Sequence, residues 1–136
     1  MFKKIFTILL IMFICGFSQA QDGIEEIAEK LAQEQLDAYN NRDIDAFLAP
    51  YAENVKIFNF PNDLQYEGKD NMRERYKNMF ANSPDLHCKL VNRMVMGNTV
   101  IDQEEVVRRK GDSKIHAIAI YKIKNDKIAE VYFISK

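Results

Sequence analysis

Arg93, Asp102 and Glu104 are the residues of this chain whose types and spacing come nearest to acid–base chemistry. They flank Gly97-Asn98, a turn pair between two runs rich in Val, Ile and alternation. A two-residue turn there sets Arg93 opposite Asp102 and leaves Glu104 two positions along on the same face. On a concave sheet face the trio holds one paired carboxylate and one available as a base. On a convex face it is a surface ladder of ion pairs worth little. The sequence leaves the face open, because the opposite set, Asn92, Gln103 and Glu105, is equally mixed.

Other chemistries find less support. His87 and His116 stand on different strands, and neither has a carboxylate or cysteine at metal-ligand spacing, so no metal is expected. No Ser-His-Asp set or glycine-rich phosphate loop can be assembled, and no cofactor is expected.

The elements that must position these residues begin with four strand-like runs, Leu86 to Met96, Thr99 to Arg109, Lys114 to Lys124 and Lys127 to Ser135. They are broken at Gly97-Asn98, Gly111-Asp112 and Asn125-Asp126, which makes an antiparallel meander. Upstream, apolar residues at helical spacing predict a helix from about 23 to 41, with Gln35 on its apolar stripe. Asp43 caps a short second helix, Ile44 to Ala49, closed by Pro50. Val55 to Phe60 reads as a first strand. A third helix, capped near Asp70, carries Met72, Tyr76, Met79 and Phe80 on one face. The expected fold is α+β, with N-terminal helices packed on a strongly curved mixed or antiparallel sheet.

In the last hairpin, a left-handed Asp126 gives a three-residue loop. Ala117, Ala119, Tyr121, Ala129, Val131 and Phe133 then share a wholly apolar face. His116, Ile118, Ile120, Lys122, Glu130, Tyr132 and Ile134 share the other. That face is too greasy for water and too charged for a core, so a homodimer through the outer sheet is expected.

Met1-Phe2-Lys3-Lys4 is a short basic start, Ile5 to Phe17 is almost wholly apolar, and Ser18-Gln19-Ala20 has the small residues of a cleavage site. Residues 1–20 therefore read as an export signal and 21–136 as one domain, periplasmic or secreted. The apolar run is shorter than the roughly twenty residues a spanning helix needs, so no membrane association is expected after cleavage. With 19 basic and 20 acidic residues in the whole chain, and Lys3 and Lys4 in the leader, the domain is mildly acidic. Nucleic-acid binding is not expected, and Arg108-Arg109-Lys110 reads as a solvated strand end. Cys88 is the one cysteine outside the leader and reads as a buried strand thiol.

The run Tyr39-Asn40-Asn41-Arg42-Asp43-Ile44-Asp45-Ala46-Phe47, then Tyr51-Ala52-Glu53-Asn54-Val55, then Tyr66-Glu67-Gly68-Lys69-Asp70, carries a likeness that continues through Asn92 to Asp102 and Tyr121 to Ile128. With its element order, the chain resembles the NTF2-like superfamily and its SnoaL-like, steroid delta-isomerase-like branch, over essentially the whole mature length. That resemblance implies a cone enclosing a pocket, used for many reactions and binding roles.

Tested on the pattern of ketosteroid isomerases, the resemblance places Gln35 at the helix acid position, Asn59 at the base position and a sheet position near Ala119. An amide is no useful base near neutral pH, so that isomerisation is not expected. The Arg-x-Asp pair of epoxide-hydrolase relatives is replaced by Gln103-Glu104-Glu105-Val106. The His that relatives often carry between the two acids is Gln103 here. The resemblance thus points to a container for a small apolar or amphipathic molecule. Its wall would comprise Gln35, Tyr39, Tyr51, Phe58, Asn59, Tyr76, Phe80, Ala119, Val131 and Phe133. The alternatives are an isomerase, cyclase or hydrolase using Asp102 or Glu104 as base, and a dimeric interaction module without a ligand.

Overall fold

The computed structural model describes residues 2–136, with side chains from Ala20 onward. The side chains of the export signal expected over 1–20 therefore lie outside the described residues, apart from Ala20. The elements are α1 (Phe2–Asn41), α2 (Ile44–Leu48), β1 (Tyr51–Asn59), β2 (Asp63–Glu67), α3 (Lys69–Asn82), β3 (His87–Met96), β4 (Thr99–Val107), β5 (Ile115–Lys124) and β6 (Lys127–Ser135). The sheet runs β2-β1-β6-β5-β4-β3 and is not closed. The β1 and β6 strands pair in parallel and all other neighbours antiparallel, so the sheet is mixed.

The α+β architecture and the meander agree with the sequence reading, and three local expectations change. First, β2 was not anticipated: Pro61-Asn62-Asp63 closes a hairpin rather than only ending a strand, and Leu64 and Tyr66 pair with Phe58 and Ile57. Second, β1 begins at Tyr51, earlier than Val55, because α2 stops at Leu48 and the chain turns straight into the sheet. Third, Asn125 and Asp126 both have positive φ, 51° and 57°, a two-residue loop rather than three. The odd residue is taken up by a bulge at Ala129, between the Lys122–Glu130 and Ile123–Ile128 pairs. The Gly97-Asn98 turn forms as expected, with Met96 opposite Thr99. Gly97 supplies its φ of 56°, where a side chain would be strained.

One face of the sheet is covered by α1 and α3. Alternation puts Val100, Asp102 and Glu104 of β4, Ala119, Tyr121 and Ile123 of β5, Ile128 and Val131 of β6, and Val55 and Ile57 of β1 on that face, all buried. Register shifts in the β1–β2, β3–β4 and β5–β6 pairs bend the strands around the helices. In α1 the buried stripe is Ala28, Leu31, Ala32, Gln35, Leu36 and Ala38. Ile24 and Ile27, at the same helical spacing, are 47% and 39% exposed, on the turn before the buried stripe begins. Phe47, 1% exposed, plugs the centre of an aromatic cluster, 4.4 Å from the Tyr76 ring and 5.4 Å from that of Tyr51. Asn40 ties α1 to the edge strand: its Nδ2 donates to Cys88 O at 2.9 Å and its Oδ1 accepts from Cys88 N at 2.7 Å. Among the described residues no helix is long and apolar enough to cross a membrane.

Candidate functional site

Between the helices and the sheet lies a cavity of about 160 Å³. Gln35, Leu36 and Tyr39 of α1, Phe47 of α2, and Tyr76 and Met79 of α3 form its helical side, with Tyr51 at the start of β1 beside them. Cys88, Glu104, Val106, Ala117, Tyr121 and Phe133 form its sheet side, with Ile115 and Arg108 among the lining residues. Asp102 and Glu104 point to the same buried face two residues apart, yet their surroundings differ. Arg93 grips Asp102 with two donors, Nε to Oδ1 and Nη2 to Oδ2, both 2.7 Å, and its Nη1 donates to Gln33 Oε1 at 2.9 Å. Asp102 is fully buried beneath this bidentate bridge. Glu104, 6% exposed, has no paired cation among the described residues and faces the cavity.

A directed hydrogen-bond chain ends on Glu104. The Tyr51 hydroxyl donates to Gln35 Oε1 at 3.2 Å, Gln35 Nε2 donates to the Tyr121 hydroxyl at 3.0 Å, and the Tyr121 hydroxyl donates to Glu104 Oε1 at 3.3 Å. Gln35 Nε2 also donates to Ala32 O at 3.0 Å. Burial, reinforced by the nearby Asp102 charge, pushes the Glu104 carboxyl up to about 7, against the opposing pull of Tyr121, Cys88 and Arg93. Burial, followed by neighbouring phenols and Glu104, raises Tyr51, Tyr76 and Tyr121 well above the ordinary phenol range. The phenols therefore stay protonated donors. Burial and the Glu104 charge also push the Cys88 thiol up, so it is no ready nucleophile. Near neutral pH the one lining group poised to exchange a proton is Glu104.

Residues 32–131 match the model of the SnoaL-like domain. The chain belongs to the SnoaL-like family. It is similar to an uncharacterised cystatin-fold protein from Novosphingobium aromaticivorans, 26% identical over 79% of this chain and 97% of that one, with a TM-score of 0.72. A SnoaL-like protein of unknown function from Burkholderia thailandensis is 17% identical, covering 82% and 96%, with a TM-score of 0.70. A provisionally named SnoaL-like polyketide cyclase from Jannaschia is 16% identical, covering 83% and 88%, with a TM-score of 0.69. The last two likenesses are of fold. No curated protein matches the chain by sequence.

Within this SnoaL-like cavity the residues read from the sequence separate into groups. Gln35, Tyr39, Tyr51, Tyr76, Phe133 and Glu104 line it. Gln35, however, has its amide committed to Tyr51, Tyr121 and Ala32 rather than free for a ligand. Phe80, Ala119 and Val131 are buried in the packed core behind the wall. Arg93 and Asp102 sit under α1 and hold each other. Two expected wall residues lie elsewhere. Phe58 falls on the opposite face of β1, because Ile57 and not Phe58 points to the helices, and it stacks on Tyr132 at 4.7 Å. Asn59 has the inward parity but lies at the end of β1, where the helical cover has stopped and the side chain is exposed.

Sequence reasoning missed Leu36, Phe47, Met79, Cys88, Val106, Arg108, Ile115, Ala117 and Tyr121 as lining residues. The parity of Glu104, Val106 and Arg108 along β4 and just beyond it was the available signal for Arg108. Among the described residues no His, Cys, Asp and Glu group large enough to hold a metal ion comes together.

Proposed function

We propose that this SnoaL-like domain takes a small, largely apolar carbonyl compound into the cavity and that Glu104 exchanges a proton with it. The observation that carries the reading is the buried Glu104 carboxyl, facing the cavity without a cation while its neighbour Asp102 is bridged. The mostly apolar wall excludes water, and Tyr76 adds a neutral hydroxyl to it, while the Tyr51 and Tyr121 protons already go to Gln35 and Glu104. Binding is tested by calorimetry with a panel of aliphatic and aromatic ketones, on the wild type and on Ala117→Phe. Ala117 lines the cavity beside Glu104, its partner across β4 and β5, so a phenyl ring there fills the space. Wild type should bind at least one compound and Ala117→Phe none. Equal binding by both would place the ligand elsewhere.

The outer sheet face supports a second copy of this chain as its partner. Met94, Ile101, Ile120, Tyr132, Phe58 and Leu64 are register neighbours and form one apolar row across all six strands. Beside it Lys122, Glu130, Lys56 and Glu67 alternate in sign across four strands. A two-fold axis along the strands reverses that row, setting Lys122 against Glu67 and Glu130 against Lys56 of a second copy. The residue pattern of 1–20 supports export, with the dimer acting in the periplasm or outside the cell.

A further inference from the structure

The cavity is not charged evenly. Along β4 and just past its end, Asp102, Glu104, Val106 and Arg108 alternate onto the helix-facing side, so the strand delivers a carboxyl to the interior and a guanidinium to the rim. Arg108 is exposed, and no ion pair or side-chain hydrogen bond engages it among the described residues. Burial pushes the Tyr39 phenol well above its ordinary range, and the Arg108 charge is near enough to oppose that rise in part. Arg108 and Met79 also border a second, wider depression of about 500 Å³. Arg109, Asn78 and Asn82 line that depression together with one acid, Asp112. The inner chamber thus shares a wall with a basin carrying two guanidinium groups and two amides.

We propose that the natural ligand is an amphipathic carboxylic acid, with its apolar body in the cavity and its carboxylate on Arg108 at the rim. This rests on the reading of the cavity as a small-molecule site and adds the chemical class of the ligand. A planar guanidinium binds a carboxylate through two parallel hydrogen bonds, which orients the molecule as well as attracting it. An anionic end cannot sit beside Glu104 without repulsion once that group ionises, so the molecule enters apolar end first. The reacting or recognised carbon then lies at the Glu104 end.

The test is calorimetric binding of hexanoate, decanoate and phenylbutanoate, each beside its primary amide, to wild type and to Arg108→Gln. The amides keep shape and apolar surface but lack the charge and one of the two acceptor oxygens. Wild type should bind at least one acid about tenfold more tightly than its amide, the preference worth one exposed-to-half-buried charge pair. Arg108→Gln should level the two by weakening the acid while leaving the amide unchanged. Because Arg108 is exposed, the substitution does not threaten the fold. An amide that binds wild type as tightly as its acid, or an acid preference that survives Arg108→Gln, overturns the assignment and leaves the cavity reading standing. Failure of every acid and every amide to bind overturns the assignment, and the cavity reading falls with it only if the ketones also fail to bind.

Discussion

Replacing Glu104 by Gln should make the protein's stability less sensitive to pH, by an amount the site geometry sets. Folded Glu104 holds its proton up to about pH 7, against an ordinary value of 4.5 for the unfolded chain. At about 1.4 kcal/mol per pH unit, that gap amounts to about 3 kcal/mol. The sign follows from which state binds the proton more tightly. Below about 4.5 both states are protonated and the contribution is fully present. It is lost as pH rises through about 7, because the unfolded chain ionises freely while the folded one resists. The introduced amide cannot ionise, and its carbonyl still accepts from Tyr121. Urea unfolding of both proteins at pH 4.5 and pH 8 should show the variant gaining about 3 kcal/mol over wild type between the two. An unchanged difference, or one of opposite sign, would refute the claim that Glu104 is desolvated without a cation.

Arg93→Met should cost about 3–5 kcal/mol, read by urea unfolding, because it strands the fully buried Asp102 carboxyl, and Arg93→Met with Asp102→Leu should recover most of it. Phe47→Ala should lower stability by about 3–5 kcal/mol in the same measurement and enlarge the cavity, so larger ketones gain affinity relative to small ones. Ile120→Lys, at the centre of the outer apolar row, should yield a folded monomer by sedimentation where wild type is a dimer; a monomeric wild type excludes that interface.

Much of the fold was legible because local chemistry and tertiary structure agree. Gly97-Asn98 could form only a tight turn, so the opposition of Arg93 and Asp102 followed from counting. The β2 strand was not legible: its five residues are mostly exposed and polar, and pairing to β1 rather than any internal pattern makes them a strand. Phe58 was misplaced because successive strand residues point to opposite faces, so Phe58 and its neighbour Asn59 could not both line the cavity. Glu104 was legible as a candidate but its face was not, since both faces of β4 carry charge. What decides it is the helix that covers one of them. Arg108 escaped notice because a charge run beside a turn looks alike whether or not a cavity opens behind it.

Proton exchange at the carbon next to a ketone most directly tests whether Glu104 does chemistry in this cavity. A bound ketone incubated in heavy water, with deuterium uptake read by mass spectrometry, should exchange faster with wild type than with buffer. The rate should rise with pH to a plateau with a midpoint near 7, and Glu104→Gln should abolish the acceleration. A ketone that binds in the cavity yet exchanges no faster than in buffer, or equally fast with Glu104→Gln, would contradict it.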